Sequence, residues 1–376
     1  MGWGAFSFPS NLKCEIAAKV VQKWRGYAVR RQTFVASREA TRTVSGERAL
    51  IEGIRHRASL EGLRSHSLRL GIGDDCAVLR TRPGYEICVT TDFTLEDRHF
   101  RRDWHPPESV GHRCLARGLS DLAAMGAEPL AVFLSLAIPA RLPMVWVDRF
   151  LQGFVTLARR YRAPLAGGDT AESPAIGKSR SGLIVADVVA IGQVPRGKAV
   201  LRSGARAGDA IWVTGSLGGA AAELRALGKS PRHFRSLTHA SADHPHLYPE
   251  PRISVGRRLR DFAHASIDIS DGLSTDLAHV CEESHLSAIL EAAALPIHPV
   301  ALASGDPLDL ALNGGGDYEL LFTVPPGVRI SRKIAGVPVH RIGMMQKSRR
   351  GKPMILLETS EGKEVPVTPG GWQHFR

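Results

Sequence analysis

Acidic residues recur in this sequence in one kind of setting. Asp74 and Asp75 lie in LGIGDDCAVL, Asp92 in VTTD, Asp121 in GLSDLAAMG, Asp169 in AGGDT, Asp268 and Asp271 in SIDISDG, and Asp317 in GGGDYEL, most of them beside Gly, Ser or Thr. One aspartate in such a place is commonly a turn or helix-cap residue. Several of them in one cleft would repel one another and raise their own pKa values unless a cation or protons compensated. A hard divalent cation removes that cost. Magnesium takes a few carboxylates together with water and phosphate oxygens, and the hydroxyls of Thr90, Thr91 and Ser270 could complete such shells.

Kinases, phosphatases and nucleases all use such ions, so the acids alone leave the reaction open. The usual nucleotide loop G-x-x-x-x-G-K-[ST] is absent. Gly177-Lys178-Ser179 and Gly228-Lys229-Ser230 carry its second half, but Glu172 and Glu223 stand where the first glycine is required. The glycine loop and H-R-D motif of protein kinases are missing too, so any ATP must be held in another way.

The elements that must position these acids alternate. RALIEGIRHRA predicts a short helix, and YEICVTTDF and AVFLSLAIP predict strands from their apolar and β-branched runs. Between those strands, PPESVGHRCLARGLSDLAAMGAEP has prolines at its start and Gly126 and Pro129 at its end, the brackets of a helix. VDRFLQGFVTLARRYRA spaces Phe150, Leu151, Phe154 and Leu157 as a helix does, and leads through PLAGGDT to the strand GLIVADVVAIGQV. A Pro/Gly-rich connection then opens a second block of the same style. It contains the strand AIWVTGSLGG, helices GGAAAELRAL and ISVGRRLRDFA, a His/Pro-rich loop from Pro231 to Pro251, ASIDISDGLSTDLAHVCEES, the strand SAILEAAALP, and ALNGGGDYELLFTVP. This is an α/β pattern in two domains with a boundary near Pro195. Acidic, glycine-bounded loops at the ends of apolar runs are where α/β proteins tend to bind ligands.

The 376 residues, 43% hydrophobic, are enough for two domains with buried cores. No run of roughly 18 apolar residues suggests a membrane helix, and Lys13, Glu15, Lys19 and Lys23 interrupt the N-terminus in a way a secretory signal would not. The cytoplasm is the expected compartment. The five cysteines are scattered without a C-x-x-C pair, which points to reduced thiols rather than disulfides or zinc. Of the net charge of +12, half lies in residues 1–45, where eight Lys or Arg face only Glu15 and Glu39. That segment is expected to be a basic extension, disordered or forming the amphipathic helix VVQKWRGYAVRRQ suited to an acidic surface or RNA.

Taken together, LGIGDDCAVL, VTTDFTLEDRHF, LSDLAAMGAEP, AGGDT, LRSGARAGD, IDISDGLSTDL and GGGDYELLF resemble the thiamine-monophosphate kinase family, in the superfamily that also holds aminoimidazole ribonucleotide synthetase and selenophosphate synthetase. The match runs from about Ser45 to Phe375 in the family's order. It implies a two-domain α/β (α+β layered) PurM-like fold, with 46–195 an N-terminal ATP- and magnesium-binding domain and 196–376 a C-terminal α/β domain. It also implies a homodimer whose N-terminal mixed sheets join in a barrel, with thiamine monophosphate and ATP as substrates and several Mg2+ ions as cofactors.

Residue by residue, the resemblance implies metal-binding roles for Asp75, Thr90, Thr91, Asp92, Asp121, Asp169, Asp268 and Asp271, of which Asp92, Asp121 and Asp169 would be catalytic. It implies ATP contacts for Gly168, Asp169, Arg202 and Ser270, and acceptor contacts for His99 and Trp372. The family commonly has Glu where this chain has Gly316, so the acceptor contact there is altered, and Asp317 or Glu319 are the neighbours that could compensate.

The implied chemistry is ATP-dependent phosphorylation of thiamine monophosphate to thiamine diphosphate by direct in-line transfer. A phosphate monoester has a second pKa of about 6, so the attacking oxygen is already mostly ionised and no general base is required. Other enzymes of the superfamily are the alternatives. Aminoimidazole ribonucleotide synthesis uses the same fold, whereas selenophosphate synthesis would call for a reactive Cys in a glycine-rich N-terminal segment. A nucleic-acid-binding protein, acting through the basic extension, is the alternative of another class; no recognised RNA or DNA motif supports it.

Overall fold

The computed structural model describes residues 47–60, 67–72, 76–175, 182–234, 244–348 and 350–373. The expected extension 1–45, together with Asp74 and Asp75, lies outside them. Among the described residues no helix is long and apolar enough to cross a membrane.

Helices and strands alternate as the sequence predicts. After α1 (Glu47–Leu60) and a small ladder of β1 (Leu68–Leu70) and β2 (Val78–Leu79), a four-stranded mixed sheet forms from β3 (Tyr85–Leu95), β4 (Glu128–Ile138), β5 (Leu165–Glu172) and β6 (Val185–Pro195), in the order β3-β6-β4-β5. Helices α2 (Pro107–Ala124) and α3 (Met144–Arg160) belong to the same half and pack on each other. Their contact depends on two glycines. A Cβ on Gly111 would stand 1.9 Å from the Phe150 carbonyl oxygen, and one on Gly153 would stand 1.9 Å from that of Glu108, so the two backbones touch where neither residue has a side chain.

Strand β3 shows the period of two that a one-sided strand requires. Cys88, Thr90, Asp92 and Thr94 are partly or wholly buried, whereas Ile87, Val89, Thr91 and Phe93 are exposed. Among the latter, Val89 is 63% and Phe93 57% exposed, so an apolar stripe stands open on the other face of the sheet.

Beyond Pro195 the strands belong to a second sheet: β7 (Ala210–Thr214), β8 (Ala265–Asp268), β9 (Leu286–Glu291), β10 (Leu320–Val324), β11 (Lys333–Ile334), β12 (Val337–Lys347), β13 (Ile355–Glu358) and β14 (Glu364–Pro366). Its order is β14-β13-β9-β12-β7-β10-β8, with β11 paired to β12; only β13 and β9 run parallel. The helices of this half include α4 (Gly219–Lys229), α5 (Pro231–Phe234), α6 (Ile253–Leu259), α7 (Leu273–Ser284), α8 (Pro299–Leu302) and α9 (Pro307–Asn313). The halves share a core, since Val255 and Leu259 of α6 and Phe322 of β10 are buried in one cluster with Leu115, Leu119 and Phe150. No sheet among the described residues closes into a barrel.

Candidate active site

The acids meet where α2 crosses from its own sheet to β8. Positions 113, 117 and 121 of α2 are four apart and lie on one face, which carries Arg113, Arg117 and Asp121 past β3 toward the second half. Thr90 on β3 donates its hydroxyl to Asp121 Oδ2 at 2.5 Å. Two residues along the same face of β3, Asp92 accepts from Arg117 at 2.5 Å. Ser120, next to Asp121 and fully buried, donates to Asp268 Oδ2 at the end of β8 at 2.7 Å.

Burial pushes the Asp121 carboxyl above its ordinary range, with Asp92 adding to the effect; the Thr90 hydrogen bond and the positive charges of Arg202 and Arg117 oppose it. Burial beside Asp121 likewise raises Asp268, to about 7. Arg202, in the turn Arg202–Gly204, is exposed yet close enough to lower both carboxylates. Its turn is held by parallel pairing of Leu201 with Ala265 at the start of β8. The result is an acidic group with Arg117 paired to Asp92 and Arg202 at its rim.

The loop after β8 is held from three directions. Asp276 of α7, itself raised to about 8 by burial and by the neighbouring Asp268 and Asp271, accepts from the backbone N–H groups of Asp271 and Gly272. Gly316 donates its N–H to the Ser270 carbonyl at 2.8 Å, and Trp372 donates its own to that of Asp271 at 3.0 Å. Ser270, Asp271, Gly316 and Trp372 therefore lie together at one end of the second sheet, and the Trp372 ring is 47% exposed.

His99 lies in the turn after β3, where its Nδ1 accepts from the Leu95 N–H at 2.9 Å, which leaves its proton on Nε2. Neither neighbour of Gly316 is available to replace the missing Glu. Asp317 accepts from Gly218 and Ala220 at the start of α4, and Glu319 accepts from Arg252 and Thr214. Both are buried.

Thr91, Gly168 and Asp169 are elsewhere. The register runs Asp92–Val188–Leu134–Gly168 across the four strands, so Gly168 is three strand spacings from Asp92, about 14 Å. The next row, Phe93–Asp187–Ser135–Asp169, puts Asp169 on the open face, opposite to Asp92. Thr91 also faces that side and donates to Asp187 at 2.7 Å. A Cβ at Gly168 would meet the Leu134 carbonyl at 1.9 Å, which reserves the position for glycine.

Sequence reasoning missed Arg117, Ser120, Asp187 and Asp276. The spacing of Arg117 and Asp121 on one helix face was a readable signal; the partners of Ser120 and Asp187 depend on tertiary pairing and left none.

The donor set suits a hard cation. Every group in the acidic cluster is a carboxylate or hydroxyl oxygen, and burial, with the neighbouring carboxylates adding to it, raises Asp121 and Asp268. Magnesium fills much of its shell with water and substrate phosphates, so a few such oxygens suffice to hold it.

Fold and site together define a two-half α/β protein with an acidic cluster where the halves meet, and residues 73–194 match the family model described as AIR synthase related protein, N-terminal domain. The chain is 36% identical over 321 residues to the thiamine-monophosphate kinase of Haemophilus influenzae, covering 82% of this chain and 93% of that protein. The solved thiamine-monophosphate kinase from Stenotrophomonas maltophilia K279a is similar at TM-score 0.71 and 34% identity, over 83% of this chain and 97% of that one. AaThiL, solved in complex with AMPPCP and TMP, is similar at TM-score 0.66 and 30% identity, over 88% and 97%. The chain belongs to the thiamine-monophosphate kinase family.

Proposed function

We propose that this protein transfers the γ-phosphoryl group of ATP to thiamine monophosphate, forming thiamine diphosphate and ADP. The observation that carries the reading is the half-buried Asp121 and the buried Asp268, brought together from the two halves beside Arg202, in a chain of this family whose relative is solved with AMPPCP and TMP.

Donor and acceptor are both anions, so the protein's tasks are neutralisation and alignment. Magnesium, when bound, would neutralise the phosphates and polarise the group in transfer. Asp92, Asp121, Asp268 and Asp271, with Thr90 and the undescribed Asp75, would hold it. Arg202 supplies a planar fork for nucleotide phosphate oxygens, and the Ser270 hydroxyl would add a further contact. His99 and Trp372 would bound the acceptor; an indole against the thiazolium ring adds cation–π attraction of roughly 0.5 to 2 kcal/mol. The acceptor phosphate is ionised near neutral pH, so transfer is direct and needs no phospho-enzyme.

We further read residues 46–195 and 196–376 as the two domains, the cytoplasm as the compartment, and the working form as a homodimer. Two features support the dimer: the exposed apolar stripe of Ile87, Val89 and Phe93, and the position of Asp169 and Thr91 on that open face, away from Asp92. A second copy placed with its β5 edge beside this copy's β3 edge, the open faces turned inward, would bring its own Asp169 and Gly168 toward the first copy's acids.

The test is magnesium-dependent formation of ADP and thiamine diphosphate from ATP and thiamine monophosphate, with free thiamine as control acceptor. Product from the monophosphate alone is expected. Bound ATP with no transfer to it would move the acceptor to another molecule.

A further inference from the structure

Asp92 pairs with a cation, whereas Asp121 and Asp268 accept from hydroxyls. Arg117 holds it at 2.5 Å, with the two side chains only 16% and 23% exposed. Yet the seat is one-sided. A guanidinium usually grips a carboxylate with two parallel N–H groups, but here one terminal nitrogen makes the contact, and the buried Nε has no partner among the described residues. The charge of Arg117 also reaches Asp121. The same helix face holds Arg113 one turn earlier, and that side chain is buried, its Nη1 meeting both the backbone oxygen and a ring nitrogen of His246. Of the two arginines, only Arg117 is poised to leave.

We propose that Arg117 is a built-in counter-ion for Asp92 which the incoming metal displaces, so that metal entry is an exchange of one cation for another. The proposal rests on the reading of Asp92 as a metal ligand. In the metal-free protein the guanidinium keeps Asp92 from facing Asp121 uncompensated. Once displaced, its N–H groups are free for the anionic oxygens that substrate brings into the cleft. Arg117 is thus a positioning residue that makes ion binding weaker than the carboxylates alone would allow.

The experiment is calorimetric titration of the nucleotide-free full chain with MgCl2, repeated with Mn2+ followed by electron paramagnetic resonance, on wild type, Arg117→Gln, Arg117→Lys and Asp92→Asn. Arg117→Gln is expected to bind either ion roughly tenfold more tightly, the fold-change that loss of a competing, partly buried pair gives. Arg117→Lys, which keeps the charge without the fork, should fall between. The metal-free melting temperature of Arg117→Gln should drop while its rise on adding magnesium grows. In an Asp92→Asn background the Arg117 substitution should change ion affinity little, since the pair is already broken. Unchanged or weaker binding in Arg117→Gln overturns the exchange, and if that variant does not fold, unchanged binding in Arg117→Lys does so. Absence of any ion binding by wild type would instead remove the metal reading, and the exchange with it.

Discussion

Ser120 of α2 and Asp268 of β8, 148 residues apart, share a 2.7 Å hydrogen bond with both side chains buried. It joins an acid of one half to the helix that carries an acid of the other. Removing the hydroxyl takes away a donor that lowers the Asp268 pKa from its raised position near 7. Ser120→Ala is therefore expected to cost about 1 to 3 kcal/mol of stability and to move the acid limb of the kcat/KM profile to higher pH. An unchanged profile would detach Asp268 from the reaction.

Raised acids and magnesium should be linked through pH. Asp268 binds its proton more tightly in the folded chain, so its contribution to stability is full below its ordinary value of 3.8 and is lost as pH rises through about 7. A bound divalent cation reverses this by favouring the ionised form. The melting temperature should rise more with magnesium at pH 8 than at pH 5.5, and Asp268→Asn should reduce that difference.

The histidines act with the opposite sign. His105 and His246 meet through their Nε2 atoms at 3.0 Å, and burial lowers His105 to about 3, with Arg113 adding to the effect; His246 is lowered in the same way. Both are neutral when folded, so the stability they contribute is present above about 6.5 and is lost as pH falls toward 3. His105→Gln should flatten the acid side of a plot of melting temperature against pH, and an unaltered slope would show that the pair does not govern acid unfolding.

Sharing of the site between two copies can be read by mixing. Asp92→Ala and Asp169→Ala should each be nearly inactive alone. Co-refolded in equal amounts, they should regain about a quarter of wild-type activity, since half the dimers are mixed and each mixed dimer has one intact site. Failure to recover would place Asp169 outside the shared site.

At Gly316 a Cβ would meet only the Ala220 side chain, at 3.6 Å, but φ is +89°. Gly316→Glu has room and carries backbone strain of roughly 1 to 2 kcal/mol. A lower KM for thiamine monophosphate with slightly reduced stability is expected; an unchanged KM would make the position irrelevant to the acceptor.

Much of this was legible in the sequence. The helix of α2 and the strand character of β3 and β6 followed from periodicity and from proline and glycine brackets, and the acids followed from their repeated glycine-flanked setting. The strands β12 to β14 were not assigned, because their runs are broken by charged and glycine residues and they form only by pairing with β7, with β9 and, for β14, with β13. The division of the acids between two faces was equally hidden. The distance between Asp92 and Asp169 depends on the strand order β3-β6-β4-β5, and no local pattern states that order.

Thr90, Arg117 and Ser120 give Asp121, Asp92 and Asp268 partners from within the chain. These contacts, with the core that the two halves share, tie the acids into the fold through the chain's own groups. On the proposed reading, withdrawing magnesium would leave these three acids with partners of their own, so the site would fall idle without its carboxylates being left to repel one another.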